Sequence, residues 1–285
     1  MIAQEVKTIE KLLGSNHEIV FSDAGHASRA YIIDDGRIVF KFPRSPEVSY
    51  HNEITALNAV NALVTDMGLQ RVGWTERSSN YLGLYGVTGK AIKNLELSSA
   101  QKRSIGGRIG CFLRALHRLE VPGAPVCPLA DEIKALQERY LLHRDFTDAN
   151  MTAAECARLH ELMMVEAPSV LMELGGDRVF AHGDLSGNNI FLDKNGKAGL
   201  IDFAESGYLD RAADFMDIGD REISEAMLEA YGADDTLIQK ISIRQRIRPA
   251  AILIYYRQKD DYAGSMRTVE KIRANLKNSV PDFRF

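Results

Sequence analysis

Cysteine is scarce in this chain: three residues, Cys111, Cys127 and Cys156, at irregular spacing. An odd count without a CxxC pair excludes a fully paired disulfide framework and the commonest zinc and redox signatures. Free thiols in a reducing cytoplasm are expected. Long apolar runs are missing as well. The longest, residues 250–256, falls far short of the about 20 residues a membrane helix needs, so no membrane partner is expected. There is no basic surplus, since 35 Lys and Arg face 39 Asp and Glu for a net charge of −4. A nucleic-acid surface needs cations in excess to neutralise phosphates, so nucleic acid is not expected as a partner. The opening stretch MIAQEVKTIEKLLGSNH carries Glu5 and Glu10 and lacks an apolar core, so it reads as an amphipathic helix and not as a secretion signal. What remains is an ordinary globular composition over 285 residues, enough for one large domain or two modest ones.

The periodicity falls into two regimes. Val6, Ile9, Leu12 and Leu13 lie at helical spacing, and Gly14 stops that helix. β-like residues follow from Glu18 to Ser22, then the small-residue run DAGHAS from Asp23 to Ser28. Two β-rich runs, Arg29–Asp34 and Ile38–Phe42, flank Asp35-Gly36, the pattern of a hairpin. Ile54, Leu57, Val60 and Leu63 predict a helix over 48–64, and strands are predicted near 70–74 and 81–87. Beyond about residue 88 helices dominate. Ser99 is expected to cap one striped by Ile105, Ile109, Phe112, Leu113 and Leu116. Gly106, Gly107 and Gly110 inside it each cost about 1 kcal/mol of helix propensity, which close packing against a neighbour would explain. More helices are predicted over 129–142, 152–175 and from about 213 to the end, with a β-hairpin inset at 189–203 that turns at Asn195-Gly196. The expected fold is α+β and bilobal. A small β-rich lobe spans 1–88, a large helical lobe holding the inset hairpin spans 89–285, and the cleft between them is the default ligand site.

Two segments share the spacing H-x-D-x-x-x-x-N. HRDFTDAN, His143 to Asn150, matches the protein-kinase catalytic loop letter for letter; HGDLSGNN, His182 to Asn189, differs in its second residue. Phosphoryl transfer needs an Asp to take the acceptor's proton, an Asn five residues on for Mg²⁺, and a second Asp for the same metal. After Asn189 the chain reads IFLD, KNGK, AGLIDF: strand, turn and strand ending at Asp202. After Asn150 comes Thr152 with Glu155 three residues on, a capping box that starts a helix. HGDLSGNN is therefore read as the catalytic loop and HRDFTDAN as a helix end and turn. His182 is read as a hydrogen-bonding brace, not a base or a metal ligand. Upstream, Lys41 in VFKFP is placed on a strand where it reaches α- and β-phosphates, and Glu53 in HNEITAL on the next helix would orient it. The Asp23–Ser28 run stands where a glycine-rich loop would, with Gly25 for backbone freedom and the Ser28 hydroxyl as a donor to the β-phosphate.

Lys41, Glu53, LRALH at 113–117, HGDLSGNNIF, LIDF and the DRAADF run from Asp210 to Phe215 together resemble the aminoglycoside phosphotransferase family. The similarity is greatest to its 2″-phosphotransferase branch, and it covers nearly the whole chain. It implies Asp184 as catalytic base, Asn189 and Asp202 as Mg²⁺ ligands, and Lys41 held by Glu53 on the phosphates of ATP or GTP. It also implies a hinge at Leu84–Gly89, with the backbone at Tyr85 and Val87 reading the purine edge, and Asp214 behind the catalytic loop. The branch carries a substrate-binding acid near the position of Asp220. Ala204-Glu205 departs from the Gly that usually follows IDF there. A polycationic antibiotic needs carboxylates, and Glu205, Asp210, Asp217, Asp220 and Glu222 all follow Asp202. They read equally as a solvated acidic face. The implied activity is Mg²⁺-dependent transfer of a γ-phosphoryl group to a hydroxyl of a small cationic molecule, an aminoglycoside first. The rivals are a metabolic kinase of choline, a sugar or an amino alcohol, and a nucleotide-binding pseudokinase.

Overall fold

The computed structural model describes residues 2–277 apart from 24, 26 and 77–79. In chain order the first elements are α1 (Ile2–Leu13), β1 (Ile19–Ser22), β2 (Ser28–Ile33), β3 (Ile38–Pro43), α2 (His51–Val60), β4 (Gly68–Leu69), β5 (Arg71–Thr75), β6 (Leu82–Tyr85) and β7 (Lys90–Ala91). Helices α3 (Ser99–Leu116), α4 (Leu129–Leu142), α5 (Arg144–Asn150), α6 (Ala153–Glu161) and α7 (Ala167–Glu173) follow. The chain continues with β8 (Arg178–Ala181), β9 (Ile190–Leu192), β10 (Ala198–Leu200), β11 (Gly207–Asp210), α8 (Arg221–Tyr231), α9 (Asp235–Gln258) and α10 (Tyr262–Lys277). Two compact units result. The first runs to Pro125 and takes in Phe180–Gly207 and Asp217–Tyr231; the second holds Val126–Val179, Tyr208–Met216 and the chain from Gly232 on. Residues on both sides of position 88 thus share the first unit. No helix among the described residues is long and apolar enough to cross a membrane.

The first unit contains a five-stranded sheet in the order β1-β2-β3-β6-β5, antiparallel throughout. The expected hairpin is β2–β3. Its turn places Asp35 (φ 56°) and Gly36 (φ 82°) in the left-handed region that an Asp-Gly pair tolerates. Alternation along β3 puts Phe40 and Phe42 on one face, buried with Tyr31, Ile33 and Ile9 of α1. Lys41, between them, takes the opposite face. Helix α2 is shorter than the apolar spacing predicts. Asn61 ends it, because its Nδ2 donates to the Leu57 carbonyl (2.7 Å) and to the Gln70 carbonyl (2.8 Å). The predicted hairpin at 189–203 is β9–β10, with Gly196 at φ 76° in its turn, and it lies in a four-stranded sheet ordered β4-β10-β9-β7.

Ser98, not Ser99, caps α3, in a reciprocal box with Gln101. The glycines inside α3 divide by face. A methyl group on Gly106 would collide with the Ile223 carbonyl of α8, and one on Gly110 with the Met227 carbonyl; Gly107 faces open space. The backbones of α3 and α8 touch where the first two lie. Gly107→Ala should therefore stabilise the protein by about 0.5–1 kcal/mol through helix propensity and a less flexible unfolded chain. Gly110→Ala should destabilise it despite the same gain. Thermal unfolding of the two variants, with Tm moving in opposite directions, checks this.

The second unit is helical around a core that includes Tyr140, Leu159, Leu162, Leu171, Ile247 and Val269. The helix predicted over 152–175 starts on its Thr152–Glu155 box and runs on through a π-helical stretch at Leu162–Glu166 into α7. Pro168 lacks the N–H that would continue the ladder. A second proline, Pro249, sits inside α9 and likewise cannot donate to the Gln245 carbonyl. That carbonyl accepts instead from Nδ2 of Asn275 on α10, at 3.2 Å.

Candidate active site

The first unit brings Lys41, Glu53, Asp184, Asn189 and Asp202 into one fold unit. The Lys41 ammonium sits 2.6 Å from Glu53 Oε1 and 2.9 Å from Asp202 Oδ1, joining residues 161 apart in sequence. Burial disfavours this ammonium, yet the two carboxylates outweigh it and hold the lysine's pKa above its ordinary value. Glu53 is 2% exposed, and burial pushes its pKa up against the pull of Lys41. For Asp202 the balance is reversed. Burial raises its pKa, but the charge and hydrogen bond of Lys41 hold it below the usual carboxylate range. Its side chain remains 42% exposed, so Lys41 occupies one oxygen without enclosing the carboxylate.

The loop leaving β8 is built around His182, which is fully buried. Its Nδ1 accepts from the Asp184 N–H (3.3 Å) and its Nε2 lies 3.1 Å from the Ile201 carbonyl. These partners select the Nε2–H tautomer. His182 thus braces the loop as the sequence suggests. Asn189 donates from Nδ2 to the Asp184 carbonyl (2.8 Å) and to Asp184 Oδ2 (2.9 Å), closing the loop and aiming the exposed carboxylate. The Asn189 carbonyl accepts from the Ile201 N–H, which ties the loop to the strand leading to Asp202. Asp202 itself adopts a left-handed φ of 67°, and its N–H donates to Gln70 Oε1 at 3.0 Å. Among the described residues no three His, Cys, Asp or Glu side chains cluster for a metal. Asp202 and Asn189 offer one carboxylate and one amide oxygen, a donor set that fits Mg²⁺, which takes one or two carboxylates plus phosphate and water oxygens.

The other expected residues divide. Ser28 opens β2, and its hydroxyl is 2.9 Å from the hydroxyl of Tyr50, whose pKa burial pushes up to about 12. Ala24 and His26 of the Asp23–Ser28 run lie outside the described residues. Gly25 is needed for space, since a Cβ there would come 2.7 Å from the Ser28 carbonyl. Arg44 reaches this run through the carbonyls of Gly25 and Asp23, each at 3.0 Å. The Tyr85 ring lies on the sheet face of Phe40, opposite Lys41, tilted against Trp74 at 5.0 Å between centroids with Arg71 over it. The Val87 side chain lies against Gly68 and Gly199, and the Gly86 N–H is given to the Arg37 carbonyl. Glu205 is exposed and Glu222 half-buried. Asp220 caps α8 through the Ile223 N–H and pairs with Lys102 at 2.8 Å.

Asp210, read above as one of the acids facing a polycation, is not a surface acid. It is 3% exposed, caps the Ala212 N–H and pairs with Lys240 at 2.9 Å and Arg244 at 3.5 Å. Asp214 is also fully buried. Tyr262 packs edge-on against Phe146, and both Tyr255 and Tyr262 keep exposed rings. HRDFTDAN is not a turn but the helix α5 with His143 at its junction to α4, and it runs into α6 with no strand to carry a second Asp. Sequence reasoning missed Gln70 and Asn52. Neither stands in a motif; the only cue was a lone Asn immediately before Glu53.

A family model for the "phosphotransferase enzyme family" (APH) matches residues 18–249. An aminoglycoside 3'-phosphotransferase of Niallia circulans is 28% identical over 135 residues, covering 43% of this chain and 49% of that protein, so the match spans about half the relative's length. Among solved structures, the GDP complex of wild-type aminoglycoside 2'-phosphotransferase-IIIa shares 18% identity with a TM-score of 0.76 over 97% of this chain and 98% of the other. The GDP and kanamycin complex of APH(2")-IIIa shares 19% with a TM-score of 0.72, covering 97% and 99%. A macrolide 2'-phosphotransferase type I shares 14% with a TM-score of 0.65, covering 95% and 96%. These likenesses establish the kinase-like α+β fold. With a family match over most of its length, this chain belongs to the phosphotransferase enzyme family.

Proposed function

We propose that this protein transfers the γ-phosphoryl group of ATP or GTP to a hydroxyl of a small cationic acceptor, an aminoglycoside in the first instance. The observation that carries this reading is the Lys41 ammonium bridging Glu53 and Asp202 in the unit that also presents the Asp184–Asn189 loop. A pseudokinase has no physical need to keep all five groups. Asp184 is exposed and oriented by Asn189, as a base that takes the acceptor's proton must be. Lys41, fixed by Glu53, supplies positive charge for the phosphates. Asp202 and Asn189 would hold Mg²⁺, whose chemistry when bound is to neutralise phosphate charge. Catalysis then rests on positioning and charge and needs no covalent intermediate. In this reading residues 1–88 hold the nucleotide, with Ser28 and the backbone at Tyr85 and Val87 beside it, and the enzyme works in the cytoplasm.

Support for the acceptor class comes from the relatives. Similar folds were solved with kanamycin, gentamicin and streptomycin, and with GDP, ADP or ATP. In this chain Asp220 meets an internal cation first, Lys102. Both side chains are partly exposed, so the pair is weak and screened. If Asp220, with Glu222 and Glu205, faces a polycationic acceptor, Asp220→Asn should raise its KM several-fold, and Lys102→Ala should lower it. A coupled assay of nucleoside diphosphate release across kanamycin-type aminoglycosides, macrolides, choline and sugars, over a salt series, checks both. Turnover of choline or a sugar with no aminoglycoside turnover would replace the acceptor class by a metabolic one. No turnover of any acceptor, with Mg²⁺-nucleotide still bound, would favour the pseudokinase.

A further inference from the structure

The five residues immediately after LI in LIDF are held by two amide side chains that no motif announces. Gln70, 3% exposed between β4 and β5, accepts the Asp202 N–H at 3.0 Å. Asn52, next to Glu53 on α2, donates from one Nδ2 to the Ala204 carbonyl at 2.6 Å and to the Ser206 carbonyl at 2.8 Å. Two carbonyls can only be met by a donor, so the chemistry fixes the amide's orientation. The segment between these anchors contains the left-handed Asp202, a conformation that a non-glycine residue holds only when its surroundings over-determine it. Ser206 carries the link onward, since its Oγ donates to the His182 carbonyl at 3.1 Å, and His182 receives the Asp184 N–H.

We infer that Asn52 and Gln70 form a clamp that positions the Asp202 carboxylate and locks it to the helix bearing Glu53. Asn52 is then a positioning residue. It makes the pose of Asp202 depend on the pose of α2, so the lysine pair and the cation-facing carboxylate are set together. Lys41 alone does not do this: its flexible stem follows either carboxylate, whereas the short Asn52 side chain bonded to two main-chain oxygens fixes distance and direction. The inference deepens the phosphotransferase reading, on which its Mg²⁺ arm rests.

The test uses the whole chain with Asn52→Ala and with Asn52→Asp, which keeps the shape but loses both donors. The first arm needs no activity. Hydrogen exchange at the amides of residues 202–206 should quicken at least tenfold in both variants, while that of the β2–β3 hairpin stays unchanged. The second arm titrates Mg²⁺ against binding of a fluorescent ADP analogue. The Mg²⁺ concentration for half-saturation should rise at least fivefold in both variants, with nucleotide affinity at saturating Mg²⁺ little changed; a merely structural residue would not move the metal dependence alone. Gln70→Ala, which removes the acceptor for the Asp202 N–H, should quicken exchange at that amide as well. Unchanged exchange at 202–206 in both Asn52 variants overturns the clamp, and so does an Asn52→Asp variant that behaves as wild type. If the wild-type protein bound no Mg²⁺-nucleotide, the phosphotransferase reading would fail while the exchange arm still decided the clamp.

Discussion

Asp184→Asn should lower kcat by about 10³-fold while leaving Mg²⁺-nucleotide affinity within about threefold of wild type. The amide keeps the shape of the side chain beside Asn189 Nδ2, so the loop is not dismantled. What it removes, in the proposed reading, is the carboxylate that takes a proton from the acceptor hydroxyl. Proton transfer in the transition state contributes typically about 10²–10⁴-fold, and binding of a nucleotide needs none of it. Asp145→Asn supplies the contrast. Asp145 stands on the exposed surface of α5, within the segment that copies the protein-kinase loop letter for letter. Its variant should keep wild-type kcat. A folded Asp145→Asn protein without activity, beside an active Asp184→Asn protein, would transfer the chemistry to the other motif.

Lys41→Met should abolish activity and also destabilise the fold in a pH-dependent way, and the two effects are separable. Glu53 is buried, and Lys41 is its counter-charge at 2.6 Å. Removing one partner of a buried pair typically costs about 3–5 kcal/mol, because the other charge stays behind without compensation. Burial already raises the pKa of Glu53 against the pull of Lys41. Without that pull the folded-state pKa rises further above the unfolded value of about 4.3. A group with a raised folded pKa contributes stability that is present below the unfolded pKa and lost as pH rises through the folded one. Lys41→Met should therefore lose Tm between pH 5 and pH 8 more steeply than wild type. Lys41→Met/Glu53→Gln should lose that extra slope and regain most of the Tm without regaining activity. Thermal unfolding of wild type, single and double variants at the two pH values, beside nucleotide binding, measures both. Equal pH slopes for the single and double variants would mean that Glu53 does not depend on Lys41 for its charge.

The strongest local signals in this chain were short-range ones. The Asp35-Gly36 and Asn195-Gly196 turns, the Thr152–Glu155 box and the strand-turn-strand that follows Asn189 all depend on residues within a few positions of one another. Backbone sterics and capping chemistry act over that distance, so such features can be read directly. The same reasoning chose HGDLSGNN over HRDFTDAN, because only one was followed by a hairpin ending in Asp. Phosphoryl-transfer chemistry pointed to Lys41 and Glu53, and resemblance to a family then supplied the hinge at Leu84–Gly89 and the expected positions of Asp214 and Asp220.

Packing decided the rest. Gly106, Gly107 and Gly110 look alike in the sequence, yet the α8 backbone lies against two of them and not the third. Asp210 and Asp220 both read as acids available to a cation. Lys240, 30 residues away on α9, takes Asp210 into the interior, while Lys102, 118 positions before Asp220, meets it near the surface. Nothing along the chain distinguishes them, since a charge is satisfied by whatever partner the fold brings within reach. Asn52 and Gln70 show the same limit. An amide side chain has no periodicity and no motif of its own, and its role exists only once the main-chain groups of Asp202, Ala204 and Ser206, more than 130 residues distant, are placed against it.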